Sequence, residues 1–425
     1  MKTYHGDVVI VGSGVAGIIS ALAFPRNYKV LLITKKRLRD SNSYLAQGGI
    51  CVQRGEEDRE SFIEDTLRAG HYENFREAVE VLVEESRGAI QTLIQYGVPF
   101  SRNEKEYCYT REGGHSKNRI LYCDDITGKR IMEQLVKQVR KRKNIRVFEN
   151  TEMTDLIIEE ETCFGVQAFH KKEKRIFFAK NTILACGGIG GIYSNTTNFS
   201  HIAGDGIVLA TKYGISLKDI SYVQIHPTTF YEESDGRRFL ISESVRGEGA
   251  LLYNHQGKRF VDELQTRDVV TQAILQEMKR EETKYEFLDF RPIAKDFRQR
   301  FPNIYQYLCS AGKNPFQEKI PIVPSQHYTM GGIDVDLDGK TSLSHLYAVG
   351  EVACTGVHGK NRLASNSLLE SVVFGKRAAV RISLEKTPWI RYNKRIRMKR
   401  NTISNSLAKK IILERIKEDE DNKIK

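Results

Sequence analysis

The first apolar run of the chain is Val8-Val-Ile-Val11, four β-branched residues in succession and too short for a helix, which predicts a strand buried on both faces. A glycine-rich turn follows, Gly12-Ser-Gly-Val-Ala-Gly17, then apolar positions at helical spacing (Ile18, Ile19, Ala21, Leu22) and a second buried run, Val30-Leu-Leu-Ile33. The unit reads strand–turn–helix–strand. Further strand character appears at Arg146–Phe148, Ile176–Phe178, Thr182–Ala185 and Leu346–Val349, and helical periodicity at Ser61–Ala69, Glu77–Tyr96, Ile131–Arg142 and Val269–Lys279. After Trp389 the strand pattern fades. Ile403, Leu407 and Ile411 recur every four residues among basic ones, predicting one amphipathic helix that docks on the body or serves an oligomer or polyanion contact.

The glycines of the first turn have separate tasks. Gly12 allows the tight turn, Gly14 lets the backbone approach a pyrophosphate, and Gly17 lets the helix pack close on the strand, with the helix N-terminus facing the phosphates. A glycine fingerprint alone is weak evidence, but here strand, helix and second strand all accompany it. The second strand ends in Thr34-Lys35, where an NAD site wants an acidic residue for the ribose, so the turn favours FAD. Two later strand-to-glycine junctions, Ile183-Leu-Ala-Cys-Gly-Gly188 and Tyr347-Ala-Val-Gly-Glu351, suit the ligand-facing edge of the same open sheet. A cofactor domain touched at both ends of the chain implies an insertion between them. The expected architecture is α/β: a Rossmann-like FAD-binding domain in two parts (1–222 and 329–385), an inserted α+β capping domain (223–328) and a basic helical tail (386–425).

With 425 residues, 40% of them apolar and 28% charged, the chain has material for more than one core and is neither disordered nor fibrous. No apolar run is long enough to span a bilayer, and the strand at Asp7–Val11 begins too early for a signal peptide, so a cytoplasmic location is expected. A net charge of +12 raises the question of nucleic acid. Residues 386–425 carry 13 Lys and Arg against 5 Asp and Glu, a net of +8, which leaves about +4 for the other 385 residues. The basic stretch 391–400 lacks the interleaved aromatics of a single-strand-binding surface, and no nucleic-acid partner is expected. Seven cysteines without a CxxC point to reduced, structural thiols rather than a metal centre.

Seven motifs occur in a fixed order: Ser43-Tyr-Leu-Ala-Gln-Gly-Gly-Ile50, Arg111-Glu-Gly-Gly-His-Ser116, His226-Pro-Thr-Thr229, Arg246-Gly-Glu-Gly249, Thr266-Arg-Asp268, His327-Tyr-Thr-Met-Gly-Gly332 and Asn361-Arg-Leu-Ala-Ser-Asn-Ser-Leu-Leu-Glu370. Over about residues 5–385 the chain resembles the flavoprotein superfamily of fumarate reductases, succinate dehydrogenase flavin subunits and L-aspartate oxidases, and within it the aspartate oxidases most. The resemblance implies FAD-dependent oxidation of L-aspartate to iminosuccinate, with oxygen or fumarate as acceptor, in de novo NAD biosynthesis. A functional link to quinolinate synthase follows, because the imine hydrolyses readily. It also implies site roles. His226, His327 and Arg362 would bind substrate carboxylates with help from Ser242, Arg267 would transfer the proton at the substrate carbon, and Glu243 and Arg246 would form the relay behind it. Glu112 would face the substrate's ammonium group. FAD would be held by Gly12, Ser13, Gly14, Gly17 and Lys35, with its flavin along Ser43, Gln47, Gly48 and Gly49, and Asp205, Glu351, Ser367 and Leu368 would close around it. No metal is expected.

The residue chemistry agrees with these roles, since arginines and histidines converging on one pocket suit a small dianion. An arginine acid–base catalyst would need a dry site, a carboxylate neighbour and a relay to solvent. The rival enzyme is a soluble fumarate reductase or succinate dehydrogenase-type flavoprotein; a rival of another class is a non-catalytic flavoprotein with a polyanion-binding tail. Membrane complexes attach flavin through a histidine four residues before the Ala of Ala-Gln-Gly-Gly. Asn42 stands there, so non-covalent FAD is expected. Three departures stand out. Only about 40 residues follow the cofactor domain, where long aspartate oxidases carry a helical bundle. Ser242 occupies a position where threonine is common, and Lys360 replaces a small residue before Asn361-Arg362.

Overall fold

The computed structural model describes residues 1–424 except 105, 234–235, 294–295, 386, 389–391 and 393–402. Trp389 and the basic stretch 391–400, Tyr392 aside, therefore lie outside the described residues.

The β-branched run at the N-terminus becomes the middle of a seven-stranded sheet. Lys2–Val11 pairs in parallel with Val30–Ile33 on one side and Glu173–Leu184 on the other, in the registers Val11↔Ile33 and Ile10↔Ile183. Ile145–Phe148 extends one edge in parallel. The segments at 176–178 and 182–185, separate in the sequence pattern, fall on this single twelve-residue strand, which ends one residue short of Ala185. Its first half pairs with the antiparallel hairpin of Thr151–Glu159 and Thr162–His170, and its last residues pair in parallel with Leu346–Ala348. All residues from Val8 to Val11 are buried, as a strand covered on both faces requires.

On one face the helix Val15–Ala23 packs against Asn366–Glu385, so the two ends of the cofactor-binding chain meet there. The approach is close: the Ser20 hydroxyl donates to the Gly375 carbonyl at 2.9 Å, and a Cβ on Gly375 would lie 2.9 Å from the Ala16 oxygen. The helices Arg59–Ala69, Arg76–Gln95 and Thr127–Lys141 match the periodic segments of the sequence within a few residues and complete this layer.

A second sheet has the order Gly236–Arg237, Asn195–Thr196, Ile320–Thr329, Glu286–Asp289, Leu251–Tyr253, with Val223–Phe230 antiparallel to Ile320–Thr329. Its core is its own, built from Val245, Val270, Ile274, Leu288, Phe297 and Ile322. It also takes in Asn195–Thr196, upstream of residue 223. Chain entry and exit run side by side, Val223 opposite Thr329, with Tyr222, Tyr328 and Met330 in one small buried cluster.

The tail helix spans Asn405–Ile424 and docks on the first body. Of the predicted Ile403–Leu407–Ile411 stripe, Ile403 and Ile411 pack half-buried against the core. Ala408 and Ile412 are the buried positions and Leu407 is exposed, because the Ile412 side chain seats on Gly204, where a Cβ would collide with it. Among the described residues no helix is long and apolar enough to cross a membrane.

Candidate active site

A cavity of about 450 Å³ runs from the first glycine turn to His327. Of the residues assigned to the cofactor by sequence, Gly12, Ser13, Gly14, Lys35, Ser43, Gln47, Asp205, Glu351, Ser367 and Leu368 line it. Gly17, Gly48 and Gly49 do not; they are close-packing positions. A Cβ on Gly17 would fall on the Gly12 carbonyl, one on Gly49 on the Leu121 carbonyl, and one on Gly48 would lie 2.9 Å from a Glu112 oxygen. Gly12 has φ +114°, a conformation that favours glycine, and the Ala185 carbonyl leaves no room for a side chain there.

The cavity fits a dinucleotide. The helix Val15–Ala23 points its N-terminus into it, with Gly14 as the half-in residue, and two buried polar atoms on its wall, Ser41 Oγ and Gln47 Oε1, have no hydrogen-bond partner among the described residues. Lys35 ion-pairs with Glu152 at 3.1 Å and Asp205 at 3.0 Å, which places Asp205 at the end of the second strand. At the opposite end Glu351 accepts from the Thr329 amide at 3.1 Å, and burial pushes its carboxyl up to about 7. Asn42 accepts from the Phe199 amide at 3.0 Å and donates to Asn198.

The catalytic and substrate candidates form one cluster, buried except for the half-buried His327, which alone of them lines the cavity. Arg267, the first residue of the helix Arg267–Glu281, donates through Nε to Glu243 Oε2 at 2.6 Å and through Nη1 to Gln224 Oε1 at 2.8 Å. Glu243 opens the helix Glu243–Gly247, which brings Arg246 Nη2 to 3.8 Å of the same carboxylate oxygen. Burial opposes ionisation of Glu243, but the Arg267 and Arg246 guanidinium groups outweigh it and hold the carboxyl below its usual range. Burial, added to by Arg267, lowers Arg362 to about 10. His226 and His327, rings 5.1 Å apart, are pushed well below their ordinary value by burial and then by the nearby arginines, so both are neutral. His226 Nδ1 lies 3.2 Å from both the Thr228 amide and the Thr228 carbonyl, an arrangement that accommodates either neutral tautomer. Among the described residues, His226 Nε2, Arg362 Nε, and Arg246 Nε and Nη2 are buried without a hydrogen-bond partner. Such donors suit a carboxylate-bearing ligand.

Inside this cationic cluster lies one further carboxylate. Glu112, 5% exposed, accepts from Ser244 Oγ at 2.7 Å and Ser365 Oγ at 2.6 Å. Ser242 caps its short helix, accepting from the Ser244 amide and donating to the Ser244 hydroxyl, both at 3.3 Å. Lys360 points outward, 3.8 Å from Glu73. Sequence reasoning missed Gln224, which ties Arg267 to the Asn361 side chain and the Arg362 carbonyl, and it missed Ser244 and Ser365. Ser365 and Asn361 stand inside a quoted motif, so position was a signal for them; Gln224 in mid-strand offered none.

The family model for an FAD binding domain matches residues 7–368. The L-aspartate oxidase of Clostridium perfringens is 50% identical over 379 residues, which cover 89% of this chain and 86% of that protein. The L-aspartate oxidase of Bacillus subtilis is 40% identical over 385 residues, 88% of this chain and 71% of the relative. Among solved structures, a quinol fumarate reductase variant from E. coli matches with TM-score 0.86 and 28% identity over 98% of this chain and 74% of its own. The open conformation of a flavocytochrome c3 fumarate reductase matches at TM-score 0.71 and 25% identity, covering 90% of this chain and 78% of its own.

Proposed function

The chain belongs to the L-aspartate oxidase family of FAD-binding flavoproteins, and on that premise we infer that it oxidises L-aspartate to iminosuccinate for de novo NAD formation, with fumarate or oxygen as electron acceptor. The observation that carries the choice of substrate is Glu112, a buried carboxylate set among Arg246, Arg267 and Arg362. A dicarboxylate alone needs only the cations. An amino dicarboxylate also needs an acceptor for its ammonium, and Glu112 supplies it.

In the oxidation C2 of aspartate gives up a hydride and the ammonium nitrogen a proton, leaving the iminium, which releases a second proton to become the imine. FAD, when bound, supplies the two-electron acceptor for that hydride. His226, Arg362 and His327 hold the carboxylates, while Ser242, whose proton goes to Ser244 Oγ, caps the adjacent helix; neutral imidazoles act here as hydrogen-bond donors, and Arg362 provides the charge. Arg267 is the proton-transfer group. Glu243 fixes its Nε, and Arg246 continues the relay behind the pair. In the fumarate half-reaction one olefinic carbon receives hydride and Arg267 gives the proton to the other, forming succinate. Gly12, Ser13 and Gly14 hold the pyrophosphate, and Ser43, Gln47, Glu351, Ser367 and Leu368 the flavin end. With asparagine at position 42, the flavin is held non-covalently. Because the imine hydrolyses in water, a quinolinate synthase is its proposed consumer.

Anaerobic titration of the oxidised holoenzyme tests the reading. L-Aspartate should bleach the flavin spectrum, succinate should bind without doing so, and acid precipitation should release all the yellow colour. Bleaching by succinate alone would overturn the assignment. Arg267→Leu should still bind FAD and succinate but bleach with aspartate at least about 10²-fold more slowly, the range for loss of a general acid–base group.

A further inference from the structure

Both oxygens of Glu112 are engaged, and the directions of the hydrogen bonds around them are forced. The Gly49 amide can only donate, and it reaches Ser365 Oγ at 3.3 Å. The Ser365 proton is therefore free for Glu112 Oε2. On the other side the Ser242 hydroxyl donates to Ser244 Oγ, whose own proton goes to Glu112 Oε1. Each oxygen thus accepts from one hydroxyl and keeps a second acceptor site for a ligand cation. The charge of Glu112 reaches Arg246 and Arg362, yet the carboxylate is tied to serines and so held in position against those guanidinium groups.

Ser365 carries a second mark of function. Its φ is +63°, in the left-handed region that favours glycine, and its neighbourhood retains a hydroxyl there at a conformational cost. Ser244 lies in the segment between the paired strands Val223–Phe230 and Ile320–Thr329, whereas Ser365 follows Arg362 in the flavin-binding part. The cradle thus has one wall on each side of the cleft.

We propose that Ser244 and Ser365 are positioning residues for amino-group recognition, holding Glu112 aligned as the acceptor for the substrate's ammonium. The recognition site is complete only when the inserted segment is seated on the flavin-binding part. This deepens the reading of Glu112 above and rests on it.

The test separates aspartate from a dicarboxylate that lacks the ammonium. Holoenzyme variants S244A, S244T and S365G are compared with the parent by kcat/KM for L-aspartate, by succinate Kd from flavin difference spectra, and by Tm. S244A and S365G should lose about 10–100-fold in kcat/KM, the range for a lost hydrogen bond to a charged group. Succinate Kd should stay within about threefold, since no hydrogen bond to an ionised group is removed from the carboxylate clamp. S244T, which keeps the hydroxyl, should recover most of the loss. S365G should lower Tm only modestly, because relief of the left-handed backbone offsets part of the lost hydrogen bonds. Equal losses for aspartate and succinate, or unchanged aspartate kinetics, would overturn the proposal. Glu112→Gln separates the underlying reading: if it leaves the preference for aspartate over succinate intact, the ammonium role of Glu112 fails and the cradle with it. If Glu112→Gln loses that preference while both serine variants keep it, only the cradle fails.

Discussion

His226 and His327 meet at 5.1 Å beside Arg267 and Arg362, and burial together with those charges keeps both imidazoles unprotonated. The consequence for stability has a definite sign. In the unfolded chain each histidine titrates near 6.5, whereas in the folded protein it resists protonation far below that. Their stabilisation is fully present above pH 6.5. As pH falls below it the unfolded state binds protons that the folded state cannot, and each histidine removes about 1.4 kcal/mol per pH unit. The Tm of the substrate-free holoenzyme is expected to drop between pH 7 and pH 5, and His226→Gln or His327→Gln should flatten the slope. A slope unchanged in both variants would show that the histidines are protonated in the folded state. These two residues, like Arg267 and Arg362, were legible in the sequence because each stands in a quoted motif. Gln224 was not, although it links Arg267 to Arg362. A glutamine in an extended run carries no pattern, and only the fold shows what its amide touches.

The tail helix shows what the next level adds. Its buried positions, Ala408 and Ile412, are four apart, as is the Leu407–Ile411 pair that the sequence pattern favoured one residue earlier. Period alone does not choose between the two faces; the groove at Gly204 does, together with Lys423, which pairs with Asp219 at 3.0 Å and lies 3.4 Å over the Tyr222 ring. Ile412→Asp should cost about 2–4 kcal/mol of docking, by loss of the buried side chain and burial of a charge, and should speed tryptic release of the C-terminal fragment. Leu407→Asp should change stability by no more than about 0.5 kcal/mol. The reverse order would place the seam where the sequence put it. Elsewhere the long periodic helices and the strand–turn–helix–strand unit read directly from the chain, because their burial is one-sided or complete over many residues. The hairpin of Thr151–Glu159 and Thr162–His170 did not. Its turn is Glu160-Glu161, with φ +47° and +59°, where Asn-Gly or Asp-Gly would have announced it. Pairing with the long neighbouring strand supports an unfavourable turn whose sequence gives no signal.

At the scale of the molecule, the segment carrying Ser242, Glu243, Arg246 and Arg267 is joined to the flavin-binding part by two adjacent strands, with the Met330 amide donating to the Tyr222 carbonyl at 2.9 Å. With only these two neighbouring connections, contacts across the cleft add to what holds the segment against the flavin-binding part. Asp125 accepts from the amides of Asn303 and Ile304, at 3.2 and 2.7 Å, at the start of the helix Pro302–Ser310. His71 meets Asp268, next to Arg267, at 3.0 Å, but both side chains are more than a third exposed. A buried carboxylate accepting from helix-terminal amides contributes about 1–2 kcal/mol, an exposed ion pair about 0–1 kcal/mol. Asp125→Ala should therefore shift the population towards open forms and raise the apparent succinate Kd, by an amount bounded at about 5–30-fold, since only the closed fraction binds with full affinity. Rates at saturating aspartate should stay nearly unchanged, because substrate drives closure. His71→Ala should raise the succinate Kd by less than about fivefold. Both variants are to be compared at equal flavin content, because Asp125 also lines the cofactor cavity. If Asp125→Ala instead lowers the saturated rate and leaves succinate affinity intact, Asp125 shapes the cofactor site and does not hold the cleft shut.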